Sequence, residues 1–311
     1  MEEFFDVIII GAGPAGLTAA IYARRAELKT LLIERNMPGG QILSTYEVDN
    51  YPGLPGLSGT ELGAKMSEHA DKFALRRISA EVRKIDFKEG CHRVETDTGD
   101  FIGKTIILAT GNSAKKLGII GEEELAGAGV SYCATCDGAF YKGCDVAVIG
   151  GGDVAVEDAI FLARGCRRVY LIHRRDELRA TRTLQTVAKN TSNIEFVWDS
   201  VATEILGCDE GEVTGVEIEN VKSHEKRLLD VAGVFIAVGH TPNTSYLGGI
   251  EMDERGYVVA DESCITSVPG VFAAGDIRTK RLRQVSTAVG DGANAVHSAE
   301  EYITQKRISF S

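Results

Sequence analysis

Two segments of the chain share one pattern: a continuous apolar run, a glycine-rich turn, and then apolar residues at helical spacing. The first run, Val7–Ile10, leads into the turn Gly11–Gly16, and the second, Val146–Ile149, leads into Gly150–Ala155. A strand that is apolar at every position must be buried on both faces, as in a parallel sheet covered by helices. The pattern therefore predicts two strand–turn–helix units, each belonging to a parallel α/β sheet.

An acidic residue follows the second strand of the first unit. That strand is Thr30–Ile33, and Glu34 stands 34 − 11 = 23 positions after Gly11. Glycines let the backbone approach a pyrophosphate at the helix N-terminus, and an acid near this distance binds the ribose of a dinucleotide. The first unit is therefore predicted to bind a dinucleotide, and the alternative is a tight turn without a ligand.

The second unit has basic residues at the corresponding place. Its second strand, Val169–Ile172, runs into His173, Arg174 and Arg175, with Arg179 one turn further. Guanidinium groups bind phosphate in bidentate fashion, so this cluster suits a ribose 2′-phosphate. The alternative is a solvated basic patch, but cations at a helix start are unfavourable unless an anion is present. An NADP site is the prediction.

A Cys-x-x-Cys pair lies just before the second unit, and an acid follows it directly. Cys133 and Cys136 can close a small disulfide ring, and Asp137 can transfer protons as the bond opens and closes. The alternatives are a structural disulfide or half of a zinc site, although zinc needs four ligands close together. The remaining cysteines are scattered singly, and we expect them to be buried packing residues: Cys91, Cys144, Cys166, Cys208 and Cys264.

The rest of the chain predicts connections to these units. Residues 37–59 are rich in glycine and proline, which favours a binding loop, and a helix is predicted from about Thr60, itself a possible N-cap. Residues 78–103 alternate as in a small antiparallel sheet, and Tyr257–Val259 is predicted as a short strand.

A last strand, Val271–Ala274, ends in Gly275 and Asp276, and a helix is predicted from near Gln284. Asp276 is placed to bind the ribityl chain of a flavin, or it is a plain turn residue. Two nucleotide sites around one dithiol suggest FAD and NADPH, because a flavin converts hydride chemistry into thiol chemistry.

Composition narrows the class of protein. The 311 residues suggest two domains, and the net charge of −11 weighs against a nucleic-acid partner. No apolar run approaches the roughly 18 residues of a membrane span. The N-terminal segment is acidic where a secretory signal would be basic, so we expect a cytoplasmic protein with no membrane association. Structural disulfides are rare in the cytoplasm, which favours the redox interpretation of the dithiol.

Taken together, these motifs closely resemble those of bacterial low-molecular-weight thioredoxin reductases. The resemblance runs nearly end to end, and it implies an α/β fold of two Rossmann-like dinucleotide-binding domains of the three-layer ββα type. The NADPH domain, residues 115–242, would be inserted into a discontinuous FAD domain made of residues 1–114 and 243–311. The resemblance also implies a homodimer. It further implies a hinge where the chain crosses between the two domains, near residues 112–114 and 241–243, which allows one domain to rotate against the other.

The resemblance assigns a set of site residues. Catalysis would rest on Cys133, Cys136 and Asp137. FAD would be bound by Gly11, Gly13, Pro14, Ala15, Gly16, Glu34, Arg35, Gly40, Gln41, Asn50, Gly111, Asp276, Arg283, Gln284 and Val285. NADPH would be bound by Gly152, Asp153, Val154, Glu157, His173, Arg174, Arg175, Arg179 and Gly239. Asp153 stands where many members of the family have asparagine. No metal is expected.

The implied function is thioredoxin-disulfide reduction. Electrons would pass from NADPH through FAD to the Cys133–Cys136 disulfide, and Cys133 would attack the disulfide of thioredoxin. One rival is a relative that takes electrons from ferredoxin or uses oxygen, but such relatives tend to lose the NADP motif, which is intact here. Another is a flavin-binding redox sensor without turnover.

Overall fold

The computed structural model describes residues 3–45 and 48–309. Its helices are α1 (Pro14–Arg25), α2 (Gly59–Asp71), α3 (Ala134–Asp137), α4 (Asp153–Leu162), α5 (Arg182–Lys189) and α6 (Val285–Ser309), with short 3-10 turns at Gly40–Ser44, Gly138–Tyr141 and Gly275–Ile277. The strands up to the dithiol are β1 (Phe4–Ile10), β2 (Thr30–Glu34), β3 (Arg76–Ser79), β4 (Val82–Asp86), β5 (His92–Thr96), β6 (Gly99–Leu108), β7 (Asn112–Ala114) and β8 (Val130–Ser131). Those after it are β9 (Asp145–Ile149), β10 (Arg168–Ile172), β11 (Ile194–Val197), β12 (Ser200–Leu206), β13 (Gly215–Asn220), β14 (Lys226–Asp230), β15 (Gly233–Ile236), β16 (His240–Pro242) and β17 (Val271–Ala273).

The chain forms two compact units. Among the described residues, the first unit contains 3–43, 48–113 and 241–309, and the second contains 114–240, with residues 44 and 45 assigned to it. The second unit is thus continuous in sequence over most of its length, whereas the first is assembled from distant segments. The chain enters the long segment of the second unit through β7 and leaves it through β16, and these two strands pair with each other as a short two-stranded ladder.

The first unit is built on a sheet in the order β3-β2-β1-β6-β5-β4, with β17 also paired to β6. Strands β1, β2, β3, β6 and β17 run parallel, and β4, β5 and the start of β6 are antiparallel. Alternate side chains of β1 enter different cores: Val7 and Ile9 pack with α1 and α6, and Ile8 and Ile10 pack on the opposite face. This two-sided burial explains the continuous apolar run.

The second unit repeats this arrangement on a smaller scale. Its sheet has the order β11-β10-β9-β15-β8, and all four neighbouring pairs in this order are parallel. Val146 and Val148 of β9 pack against α4, whereas Ala147 and Ile149 face the core shared with the antiparallel sheet β12-β13-β14. The fold is therefore α/β with two Rossmann-like units, as the sequence predicts.

Some local predictions differ from the structure. Helix α2 begins at Gly59 and its N-cap is Ser58, so the prediction of Thr60 as the cap is wrong. Ser58 and Glu61 form a reciprocal capping box, in which each side chain binds the other residue's backbone N–H. Strand β3 is parallel to β2, so only the later part of residues 78–103 is the predicted antiparallel sheet.

Two further predictions need correction. Around Tyr257–Val259 the structure has isolated bridges from Val258 and no strand. Of the five single cysteines, Cys166 and Cys264 are buried as expected, but Cys208 is exposed. A spacing pattern cannot fix how deeply a loop cysteine is buried, because that depends on the elements packed over it.

Across residues 3–45 and 48–309, no helix combines the length and the apolar content that crossing a membrane would require.

Candidate redox centre and dinucleotide sites

A disulfide joins Cys133 and Cys136, whose Cα atoms are 5.3 Å apart. The pair follows β8, so it lies at the carboxyl end of a parallel strand, and Cys133 is the N-cap of the short helix α3. Both cysteines are half-buried, and Thr135 between them is exposed. Within the described part of the chain, no group of three or more His, Cys, Asp or Glu side chains could hold a metal.

Asp137 lies beside the disulfide and is held by a serine. The Ser131 hydroxyl donates to Oδ2 of Asp137 at 2.6 Å and accepts from the backbone N–H of Cys133 at 3.0 Å. The other carboxylate oxygen, Oδ1, is buried and has no hydrogen-bond partner among the described residues. Burial raises the pKa of Asp137, and the hydrogen bond from Ser131 opposes that shift. A carboxyl group with a raised pKa can carry a proton to or from a thiol.

Ser131 is a functional residue that the sequence reasoning did not identify. Its position two residues before Cys133 could have indicated one of its contacts, because a serine hydroxyl often accepts from the backbone N–H of the residue two positions later. Its second contact, to Asp137, could not be inferred from spacing because it depends on how α3 turns back towards β8.

The first glycine turn requires glycine for steric reasons. Gly11 has a φ of +103°, and a Cβ there would lie 2.4 Å from the carbonyl oxygen of Ala109. A Cβ at Gly16 would lie 1.8 Å from the carbonyl oxygen of Gly11. Helix α1 has Gly13 as N-cap, no side-chain cap and no acidic residue in its first turn, so its first N–H groups are directed at whatever anion binds there.

Glu34 contacts the glycine turn directly. Its Oε2 accepts from the backbone N–H of Ala12 at 2.6 Å, and its Oε1 accepts from that of Asn36 at 2.8 Å. The acid at the end of β2 thus fixes the turn as well as being available for a ribose. The neighbouring Arg35 forms an exposed ion pair with Glu81.

The segment Gly39–Gln41 lies against the first glycine turn. The backbone N–H of Gly39 donates to the carbonyl of Ala12 at 2.8 Å, and a Cβ at Gly40 would lie 3.0 Å from Cα of Gly13. The side chain of Gln41 donates to Oδ1 of Asn112 at 2.6 Å. Asn112 is the first residue of β7 and directly follows Gly111, so two distant predicted FAD segments meet here.

The C-terminal predicted residues reach the same region. Asn50 donates from Nδ2 to Oε1 of Gln284 at 3.0 Å, next to the start of α6 at Val285. The guanidinium of Arg283 lies over the ring of Tyr257, 4.1 Å from its centroid.

The surroundings of Asp276 indicate whether a flavin nucleotide fits the first unit. It lies in the 3-10 turn after β17, and Gly275 of that turn is so close to α1 that a Cβ there would be 2.9 Å from Cβ of Ala15. Burial raises the pKa of Asp276, and Lys280 and Arg283 oppose the shift. Its Oδ1 is buried with no donor among the described residues. A buried acceptor of this kind requires a hydroxyl or amide donor, which a ribityl chain would supply.

The second glycine turn is joined to the basic segment by three contacts. The backbone N–H of Arg179 donates to the carbonyl of Gly151 at 2.7 Å, and that of Thr181 donates to Oδ1 of Asp153 at 2.7 Å. A Cβ at Gly151 would lie 2.2 Å from Nδ1 of His173, so the imidazole packs directly on the turn. A Cβ at Gly152 would meet nothing within 4 Å, which leaves the start of α4 open to a ligand.

The positive charge of this cluster resides on its arginines. His173 is buried, and its pKa is lowered by burial and by the three nearby guanidinium groups. The lowered pKa favours the neutral imidazole, so the arginines carry the charge of the cluster, and contact between His173 and NADPH stays a prediction. Arg174, Arg175 and Arg179 are all exposed, as a phosphate site requires.

The remaining predicted NADPH residues are placed around the same turn or near the connections. Val154 and Glu157 are exposed on the first turns of α4. Gly239 has a φ of +112°, and its carbonyl accepts from the backbone N–H of Lys115 at 2.9 Å. The observed residues therefore fit a dinucleotide with a 2′-phosphate in the second unit and one with an unphosphorylated ribose in the first.

Comparison with known proteins gives a consistent result. Residues 5–292 match the family model described as pyridine nucleotide-disulphide oxidoreductase. A thioredoxin reductase of Listeria monocytogenes serovar 1/2a is 44% identical over 310 residues, covering 99% of this chain and 97% of that protein. A thioredoxin reductase of Bacillus subtilis is 42% identical, covering 98% of this chain and 96% of that protein.

A solved structure gives the same answer. The crystal structure of thioredoxin reductase from Streptococcus pyogenes superimposes with a TM-score of 0.93 at 44% identity, covering 98% of this chain and 100% of that one. These near-complete matches agree with the glycine turns and with the disulfide and its neighbouring acid. The chain belongs to the pyridine nucleotide-disulphide oxidoreductase family, as a low-molecular-weight thioredoxin reductase.

Proposed function

We propose that the protein is an NADPH-dependent thioredoxin-disulfide reductase (EC 1.8.1.9), which reduces oxidised thioredoxin through its own Cys133–Cys136 disulfide. The observation that carries the proposal is the disulfide at the carboxyl end of β8 with Asp137 beside it. It stands in a chain that matches proteins named thioredoxin reductase over nearly their whole length.

The two units have different cofactor assignments. The FAD domain comprises residues 1–114 and 243–311, and the NADPH domain comprises residues 115–242. When bound, NADPH supplies the electrons and FAD passes them to the disulfide. The glycine turn of α1 and Asp276 hold the flavin nucleotide, and Arg174, Arg175 and Arg179 bind the 2′-phosphate. The orphaned acceptor of Asp276 and the exposure of the three arginines support these assignments.

The chain's own residues carry out the thiol chemistry. After reduction, the Cys133 thiolate attacks one sulfur of the thioredoxin disulfide, which breaks that S–S bond and forms a mixed disulfide. The thioredoxin sulfur that leaves takes up a proton, for which Asp137 is the donor. Cys136 then attacks Cys133, which releases the second thioredoxin thiol and restores the disulfide. The raised pKa of Asp137 suits this role, because burial disfavours the charged carboxylate and so favours the protonated form that can donate.

Two further parts of the proposal concern the setting. We place the protein in the cytoplasm, which free thiols such as those of Cys166 and Cys264 support, since reducing compartments keep cysteines unpaired. We also propose a homodimer, on the basis of family resemblance.

A coupled assay tests the function directly. The FAD-loaded protein, NADPH, thioredoxin and a chromogenic disulfide should give sustained turnover, with NADPH preferred to NADH. In the Cys136→Ser variant, Cys133 should trap thioredoxin as a stable mixed disulfide, whereas the matched Cys208→Ser variant should turn over normally. Trapping only by Cys133→Ser would reverse the two roles, and absence of turnover with every thioredoxin tried would contradict the proposed substrate.

A further inference from the structure

A buried cluster of charges lies beside the Gly275–Asp276 turn in the first unit. Asp291, from the second turn of α6, is surrounded by Arg278 and Lys280, which follow the turn in sequence. The side chains of Asp291, Arg278 and Lys280 are only 7%, 9% and 6% exposed. Side chains of these types are almost never so deeply buried unless they are paired.

One oxygen of Asp291 organises the cluster. Its Oδ2 accepts from the backbone N–H of Gly275 at 2.9 Å, from Nε of Arg278 at 2.9 Å and from Nζ of Lys280 at 2.8 Å. Its Oδ1 accepts from Nη2 of Arg278 at 2.7 Å. Helix α6 therefore holds, through a single carboxylate, both the backbone of the turn and two cations.

The charges of these three side chains do not cancel. The bidentate pair of Arg278 and Asp291 is already neutral, and Arg278 also donates to the carbonyls of Ala260 and Thr279. Lys280 thus gives these three side chains a net positive charge in a buried place, which is costly without a further anion, and Asp261, the other carboxylate that acts on Arg278, lies near the surface. If Asp291 served only to fix the backbone of Gly275, the second cation, Lys280, would not be needed.

A candidate for the missing anion is Asp276, on which Lys280 and, after it, Arg283 both act. It immediately follows Gly275, the residue that shares Oδ2 of Asp291 with Lys280. Lys280 is the first electrostatic influence that opposes the effect of burial on the pKa of Asp276. An ionised Asp276 would bring the charge of the four side chains to zero, and its Oδ1 would stay open as an acceptor.

We propose that Lys280, held by Asp291, is a positioning residue for Asp276: it supplies the charge that balances the Asp276 carboxylate and, with Asp291, fixes the turn that aims this carboxylate at a hydroxyl of FAD. The inference rests on the proposed function, in which the first unit binds FAD. Neither Lys280 nor Asp291 is within the sequence motifs that indicate a flavin site.

A double-mutant cycle on the full-length protein tests the inference. Apo-protein is titrated with FAD, and binding is followed by the change in flavin fluorescence. Lys280→Met removes the charge but keeps the Arg278–Asp291 pair, and it should raise the Kd for FAD about tenfold. Lys280→Arg should restore affinity to within about threefold, because it returns the charge.

Coupling to Asp276 separates a positioning role from a structural one. In an Asp276→Asn background, adding Lys280→Met should weaken FAD binding by less than about twofold, because the charge it balances is gone. Additive losses, or a lowered Tm with unchanged FAD affinity in Lys280→Met, would overturn the inference. If Lys280→Met does not fold, Lys280→Gln serves in the same cycle, since its amide can still donate to Asp291.

Wild-type protein that binds no FAD would refute the cofactor assignment itself, whereas normal wild-type binding that is insensitive to Lys280 would refute only the role of Lys280.

Discussion

Ser131 connects the two parts of the redox centre, because its hydroxyl contacts both the Asp137 carboxylate and the Cys133 backbone. Because Ser131 binds Oδ2 of Asp137, the oxygen without a hydrogen-bond partner among the described residues is Oδ1, and the contact fixes its position. It also moderates the pKa of Asp137, which burial alone would raise further. A single hydroxyl thus adjusts both the geometry and the proton affinity of the acid next to the disulfide.

Replacing Ser131 with alanine should change the pH dependence of thioredoxin reduction. Without the hydrogen bond, the pKa of Asp137 rises, so the limb on which activity falls as this acid deprotonates should move to higher pH. Asp137→Asn should lower kcat at least about a hundredfold and remove that limb. The measurement is kcat against pH with saturating NADPH.

Ser200→Ala provides the matched control for this prediction. Ser200 is also a buried serine of the second unit, and its hydroxyl donates to the carbonyl of Trp198 at 2.8 Å. Its variant should keep the wild-type profile. A Ser131→Ala profile that coincides with wild type would mean that Asp137 does not titrate in the measured step.

Among the secondary-structure elements, the connection between β10 and α5 is held to the start of α4 by few contacts. The backbone N–H of Thr181 donates to Oδ1 of Asp153, and that of Arg179 donates to the carbonyl of Gly151. Because the connection carries the exposed arginines, these contacts set the position of the proposed 2′-phosphate site relative to the glycine turn. Asp153 is better explained as an acceptor for the connection than as a ligand of the phosphate, which its charge would repel.

Asp153→Ala should raise the KM for NADPH about five- to tenfold, because the loss of one hydrogen bond to Thr181 loosens the connection. The KM for thioredoxin should be unaffected. Asp153→Asn is the matched control: its amide oxygen still accepts from Thr181 and its negative charge is gone, so it should bind NADPH at least as tightly as wild type. Equal losses in both variants would show that the carboxylate charge, and not the hydrogen bond, is needed.

At the scale of the whole molecule, the two units use the same plan with opposite charge at the nucleotide end. In each, a parallel sheet with a central apolar strand places a glycine turn at its carboxyl edge. The second strand ends at Glu34 in one unit and is followed by His173, Arg174 and Arg175 in the other, where the arginines carry the positive charge. The stability of the first unit also depends on a histidine outside any site. His92 of β5 is fully buried, and burial lowers its pKa to about 4 from 6.5.

The burial of His92 should make the first unit sensitive to acid. Its pKa is lower in the folded than in the unfolded state, so the stability associated with the neutral ring is complete above about pH 6.5 and is lost as pH falls towards about 4. The loss amounts to as much as about 3 kcal/mol. Denaturant unfolding followed by circular dichroism should therefore show a shallower decline between pH 7 and pH 4.5 for His92→Gln than for wild type.

His297→Gln is the control for this stability measurement. His297 is on the exposed side of α6, with a side chain that is 75% exposed. Its replacement should leave the slope of stability against pH as in wild type. The interpretation would be wrong if His92→Gln retained the full wild-type slope.

Features that depend on residues close together along the chain are predictable from the amino-acid sequence. Three local patterns each impose a geometry: a continuous apolar strand, a glycine beside a close backbone, and two cysteines three positions apart. The two α/β units and the dithiol are therefore predictable from these patterns. The α2 cap could also have been read from Ser58 and Glu61, because a capping box is a local signal.

The distribution of charges and hydrogen bonds around these motifs, by contrast, depends on how the chain packs in three dimensions. Three examples arise where separate elements pack together: burial lowers the pKa of His173, Ser131 holds Asp137, and the Asp291 carboxylate binds Gly275, Arg278 and Lys280. Desolvation and pairing depend on which groups surround a side chain in space. That information is set by packing between elements that are distant along the chain, and no spacing rule contains it.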